Sequence, residues 1–246
     1  MIPKIIHYCW FGKKIPESAL KVVDSWKKHL PDFDFYLWGN EHLGECDIKF
    51  VKQALHKKHY AFVADYFRLK KVYEYGGFYL DTDMILVKPL DSLLLAEFVI
   101  CSEIVGRPSW GFFGSKKYND YLKECFESYH KIEYDQFKPP VIPYFLKEIT
   151  LNYINQGPEN RLNLDPEYFY PMPVEKCNSD YMSFVTDKTI GVHLWDFSWL
   201  EIKLERSKIN ELIYRIRILT KDLTSCMYSP YYFRINLIRI VRLIRI

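Results

Sequence analysis

Apolar residues recur at helical spacing toward Tyr75, at Tyr66, Leu69, Val72 and Tyr73, and this recurrence predicts the last turns of a helix over 65–75. Gly76 and Gly77 end it, because glycine accepts the left-handed backbone that a helix C-terminus often needs. Phe78, Tyr79 and Leu80 follow as a short apolar strand that runs into Asp81-Thr-Asp83. A similar apolar run, Ile5 to Trp10, predicts the first strand of an α/β sheet, and such sheets take ligands at the C-terminal ends of their strands. Thr189 to Trp195 predicts a strand leading into a loop. Between Val105 and Pro171 the helical pattern is broken by irregular segments such as Phe137-Lys-Pro-Pro140 and Gln156-Gly-Pro158, the kind of surface loop in which recognition tends to reside.

The pattern changes character near the C-terminus. Residues 201–246 hold ten Lys and Arg against four acidic residues, a net of +6, whereas the whole chain is only +3; the remainder is therefore −3. Tyr231 to Ile246 consists of eleven apolar residues, four arginines and Asn236. On a helix, Arg234, Arg239, Arg242 and Arg245 fall within an arc of about 140° beside a broad apolar face. Sixteen residues of helix span about 24 Å, short of the roughly 30 Å hydrocarbon core, so the segment suits lying on an anionic membrane rather than crossing it. Packing on the folded domain, or a dimer seam, are the structural alternatives. Nucleic acid is not expected as a partner, because the basic residues interleave with bulky aliphatics. The expected division is a globular domain over 1–205 and a basic amphipathic helical tail over 206–246.

A chain of 246 residues that is 49% hydrophobic can bury one α/β core, and it contains no low-complexity linker or internal repeat. Aromatic residues make up 17%, and Tyr and Trp stack on sugar rings and bases while offering a polar edge. Cys9, Cys46, Cys101, Cys125, Cys177 and Cys226 form neither a Cys-x-x-Cys pair nor a zinc pattern, and read as reduced, mostly buried thiols. Residues 1–11 do not read as a secretory signal. These features, with the tail, predict a cytoplasmic protein peripheral on the inner face of the cell membrane.

The candidate chemistry begins with Asp81 and Asp83. Alternate residues of an extended segment point the same way, so the two carboxylates are expected on one face as hard ligands for Mg²⁺ or Mn²⁺, leaving positions open for phosphate oxygens. A second Asp-x-Asp, Asp32-Phe-Asp34, precedes Phe35 to Trp38 and reads as a solvated turn entering a strand. Asp65 and Arg68 stand three apart and share a helix face. By themselves they could be a plain ion pair, and His193 by itself could be a satisfied core histidine.

Four blocks occur in order: Ile2-Pro-Lys-Ile-Ile-His-Tyr-Cys-Trp-Phe-Gly12, Ala64-Asp-Tyr-Phe-Arg68, Tyr75-Gly-Gly-Phe-Tyr-Leu-Asp-Thr-Asp83 and His193-Leu-Trp-Asp-Phe-Ser-Trp199. Over roughly residues 1–200 the chain thereby resembles glycosyltransferase family 32, whose members include bacterial capsule and O-antigen transferases and yeast initiating mannosyltransferases. One departure is Ala64, where such sequences often have Ser. The resemblance implies a GT-A fold, a Rossmann-like mixed sheet flanked by helices, and a metal-dependent retaining transfer of a hexosyl unit from a nucleotide diphosphate sugar. The donors it suggests are UDP-galactose, UDP-glucose and UDP-N-acetylhexosamines, with GDP-mannose fitting less well; the acceptor is expected to be a polyprenyl diphosphate-linked oligosaccharide. It also implies site roles: Asp81, Asp83 and His193 for the metal, Asp65 and Arg68 for the donor sugar and diphosphate, His7, Tyr8 and Trp10 for the nucleotide, and Ser198 and Trp199 for the diphosphate. A nucleotide-sugar phosphohydrolase and a non-catalytic sugar-binding protein at the membrane are the alternative readings.

Overall fold

The computed structural model describes residues 1–135, 138–177 and 179–196. The expected tail, and with it Ser198 and Trp199, lies outside the described residues. Strand β1 (Ile5–Cys9) runs parallel to β2 (Asp34–Trp38) on one side and to β3 (Gly77–Leu80) on the other. Strand β4 (Met84–Leu86) leaves this sheet and later pairs antiparallel with β8 (Gly191–His193). The hairpin of β5 (Phe98–Ile104) and β6 (Arg107–Ser115) joins β3 antiparallel through β6, and β7 (Arg161–Leu164) closes the far edge, in the order β2-β1-β3-β6-β5-β7. This is a mixed α/β sheet flanked by helices, as expected.

The central strands are buried on both faces, which is why they read as continuous apolar runs. Tyr79, Ile100 and Phe113 face a core made with α2 (Lys49–His56), α3 (Tyr60–Tyr75) and α4 (Asp120–Ser128). Their neighbours Phe78, Leu80, Val99 and Phe112 face the other way, onto α1 (Glu17–His29), β4 and Phe169. Alternation of side chains along each strand thus feeds two cores from one sheet. Trp26 of α1 is fully buried and donates its indole N–H to Met84 O at 2.5 Å, fixing α1 to β4.

Helix α3 is longer than the 65–75 stretch and begins at Tyr60, placing Asp65 and Arg68 in its middle turns. Gly76 and Gly77 do end it, both with positive φ (68° and 102°). At Gly77 glycine is also required by space, since a Cβ would lie 2.6 Å from Ile5 O. The helix therefore turns directly into β3 at the closest possible approach to β1. Asp32-Phe-Asp34 is the expected turn into β2, with Asp32 paired to Lys4. Cys9, Cys46, Cys101 and Cys125 are buried, and all five described cysteines are free.

Candidate active site

Asp81 and Asp83 converge, but through a turn rather than along a strand. Strand β3 ends at Leu80, and Met84 N–H donates to Asp81 O at 2.9 Å, so residues 81–84 form a β-turn that swings both carboxylates to one side. Asp81 stays tied to the sheet by donating its N–H to Gly111 O at 2.8 Å. Strand β8 supplies the third group: oxygen atoms of Asp81 and Asp83 and a ring nitrogen of His193 all lie within 4.8 Å of one another. Met84 is paired with His193 across the two-stranded sheet, and this pairing brings residue 193 to the turn.

Arg68 connects this cluster to α3. Its Nη2 lies 3.1 Å from Asp65 Oδ1 and its Nη1 3.4 Å from Asp81 Oδ1. Nη1 also donates to Trp110 O at 2.9 Å, and the guanidinium sits 4.6 Å over the Tyr79 ring. The Tyr79 hydroxyl donates to Asp81 Oδ1 at 2.9 Å. Burial pushes the Asp65 carboxyl up to about 7; Arg68 opposes the shift and the nearby Asp81 adds to it. For His193, burial works against the imidazolium, yet Asp83, with Asp81 and Glu103 behind it, outweighs burial and holds the ring above its ordinary value. Asp83 Oδ2 further accepts the Asp196 N–H at 2.9 Å.

The donor set fits a divalent cation. If Arg68 is counted against Asp65, the Asp81 and Asp83 charges stand beside each other without a dedicated basic partner other than His193. His193 Nδ1 is buried with no hydrogen-bond partner, and two carboxylates with one imidazole are ligands that Mn²⁺ accepts.

The nucleotide-side expectations fare unevenly. His7 is fully buried, and both nitrogens are occupied: Nε2 bonds Gly76 O at 2.7 Å and Nδ1 accepts the Trp38 indole N–H at 3.1 Å. It is thus corrected from donor binding to holding β1 against β2 and the α3–β3 junction, because its strand is flanked on both sides. Tyr8 is half-buried edge-on against Trp26 at 5.5 Å, on the α1 face. Trp10 stands just past β1, its indole donating to Lys13 O at 2.9 Å, on a loop clasped by paired hydrogen bonds between Gly12 and Asn40.

Sequence reasoning passed over Tyr79, Trp110, Gly111 and Tyr170. A Cβ on Gly111 would lie 2.7 Å from Asp81 Oδ2 and 2.9 Å from the Tyr170 hydroxyl, so this glycine leaves room for both the carboxylate and the phenol over the strand. Glycine inside a strand pattern is a signal of close approach, and it was available at Gly111. Trp195, two residues after His193, has a positive φ of 57°, uncommon for a bulky residue; its ring lies edge-on to His193 at 4.4 Å and its indole donates to Met172 O at 2.7 Å.

A mixed sheet carries an Asp-x-Asp turn at a strand end, an arginine linking that turn to a helix aspartate, and a histidine from β8 beside it, an arrangement with the architecture of a GT-A fold. Residues 16–99 match the family described as glycosyltransferase sugar-binding region containing DXD motif. The chain is 27% identical over 218 residues to inositol phosphoceramide mannosyltransferase 1 of Schizosaccharomyces pombe, covering 81% of this chain and 66% of that protein. It is 24% identical over 183 residues to human alpha-1,4-N-acetylglucosaminyltransferase, covering 69% of this chain and 50% of that protein. The chain therefore spans between half and about two thirds of the length of these relatives. Its fold is similar to that of the PaToxG glycosyltransferase, with a TM-score of 0.50 at 19% identity over 61% of this chain and 70% of that one. These matches support assigning the chain to the glycosyltransferases of the family 32 type.

Proposed function

We propose that the chain transfers a hexosyl unit from a nucleotide diphosphate sugar to a glycan acceptor, with retention of configuration and dependence on a divalent cation. The observation that carries this reading is the convergence of Asp81, Asp83 and His193 within 4.8 Å, beside the Asp65–Arg68 pair. Asp81, Asp83 and His193 would hold the cation, which when bound supplies positive charge against the leaving diphosphate. Asp65 accepts hydrogen bonds from the sugar hydroxyls. Arg68, whose planar fork already spans Asp65 and Asp81, presents charge toward the diphosphate from the helix side. The acceptor hydroxyl attacks on the face from which the diphosphate departs, and the departing oxygen takes its proton, so no separate protein base is needed.

The names of the relatives divide between mannose and N-acetylglucosamine, which brings GDP-mannose back beside the UDP-sugars as a donor. One relative is named for a lipid substrate, and with the basic apolar tail this supports an acceptor carried on lipid, such as a polyprenyl diphosphate-linked oligosaccharide of a capsule or O-antigen. The protein would then work at the cytoplasmic face of the membrane. Calorimetry with UDP-galactose, UDP-glucose, UDP-N-acetylglucosamine and GDP-mannose, each with Mn²⁺ and with chelator, tests the reading. One donor is expected to bind only with Mn²⁺, and Asp83→Ala is expected to remove that dependence. Folded protein that binds none of the four would refute it.

A further inference from the structure

The β5–β6 hairpin extends past the catalytic turn. Strand β3 ends at Leu80 opposite Phe112, and Asp81 is tied to Gly111, so residues 103–110 continue beyond the C-terminal end of β3, the side on which the turn and His193 sit. Within this overhang the pairing slips: Ser102 is opposite Pro108 and Ile104 opposite Arg107, leaving Glu103 as the extra residue of a β-bulge. Bulges re-aim side chains and gather next to active sites.

Glu103 is held without being used up. Its Oε1 lies 2.7 Å from Arg107 Nε, with only 13% and 8% of the two side chains exposed, and Arg107 is itself braced by Nη1 donating to the Tyr144 hydroxyl at 2.9 Å. Oε2 carries no hydrogen bond among the described residues. The Glu103 charge acts on both His193 and Tyr170, and the Tyr170 hydroxyl and Asp81 Oδ2 both crowd Gly111 of the same hairpin, so the carboxylate stands near the catalytic turn on the β5–β6 side. The sugar-facing Asp65 and Arg68 come from α3, and the cation ligands come from the turn and β8. Glu103 is a carboxylate from a third element, the β5–β6 hairpin.

Resting on the transferase reading above, we propose that Glu103 is an acceptor-binding residue: Oε2 accepts a hydrogen bond from a hydroxyl of the acceptor sugar, while Arg107 holds Oε1 and fixes the direction of approach. In the step so oriented, the acceptor oxygen bonds to the anomeric carbon, the bond from that carbon to the diphosphate oxygen breaks with its electron pair leaving on the diphosphate, and the acceptor proton passes to that oxygen. Glu103 orients and is unchanged at the end.

The test separates transfer from hydrolysis. The unaltered protein is assayed with Mn²⁺, the four nucleotide sugars named above and a panel of p-nitrophenyl glycosides, following both glycoside elongation and release of free sugar into water. Glu103→Gln is expected to lower transfer to the glycoside at least tenfold, mostly through the acceptor KM, while donor hydrolysis stays within about twofold. Glu103→Asp, which keeps the charge beside Arg107 but withdraws the oxygen, should give the same split if Gln perturbs folding. Transfer unchanged in both variants, or transfer and hydrolysis falling in parallel, would overturn the role of Glu103 and leave the transferase reading standing. An unaltered protein that transfers to no glycoside and hydrolyses no donor would overturn both.

Discussion

Arg68 is a buried cation shared between two carboxylates, and this sharing sets the character of the site. Its neighbours Asp65 and Asp81 come from α3 and from the turn after β3, so one guanidinium holds the middle of the helix and the turn in fixed relation. His7 shows the opposite outcome for a polar residue of a motif. Buried between its neighbours, it stays neutral, and burial pushes its titration from 6.5 down to about 4, with Lys71 adding to the shift and the Gly76 carbonyl opposing it. The unfolded chain takes up a proton there near 6.5 and the folded protein only near 4, so the contribution of His7 is complete above 6.5 and is lost as pH falls toward 4, about 3 kcal/mol over the whole interval. Urea titrations at pH 7 and pH 4.5 should show this fall, and a His7→Phe protein should lose less over the same range. An equal loss in both proteins would show that other groups cause it.

Among the elements, β6 does more for the site than its featureless apolar sequence suggests. It donates no catalytic side chain, yet Trp110 O accepts from Arg68, Gly111 O accepts from Asp81 N–H, and the bare Cα of Gly111 makes room for Asp81 and Tyr170. Gly111→Ala would set a methyl group 2.7 Å from Asp81 Oδ2, and Asp81 would have to swing away. We expect kcat/KM for transfer to fall on the order of a hundredfold, as displacements of about 1 Å commonly cause, with the melting temperature lowered by only a few degrees. Unchanged kcat/KM would mean that the Asp81 position is not critical. The turn over 81–84 and the short β4–β8 pairing that carries His193 belong to the same scale: short segments whose backbone, more than their side chains, decides where Asp81, Asp83 and His193 point.

At the level of the molecule, no helix among the described residues is long and apolar enough to cross a membrane. The excess positive charge lies in residues 201–246, and the rest of the chain is negative. We expect the intact protein to co-sediment with phosphatidylglycerol vesicles and much less with phosphatidylcholine vesicles, the difference shrinking in high salt. Removing residues 223–246 should abolish the preference; retention of full binding would place the contact elsewhere.

Local signals carried a large part of this protein. Helical spacing up to Tyr75, the glycine stop, the strand Phe78–Leu80, the strand at Ile5 and the pairing of Asp65 with Arg68 were legible because each depends on residues a few positions apart, whose geometry is set by backbone periodicity and glycine sterics. What required the tertiary structure was every relation across the sheet. The order β2-β1-β3-β6 buried His7, the β4–β8 pairing delivered His193 to the Asp81–Asp83 turn, and β6 brought Trp110 and Gly111 beneath Arg68 and Asp81. These contacts join residues far apart in the chain, and which distant strands pair is decided by burying both faces of one sheet at once, a condition that no short stretch of sequence records.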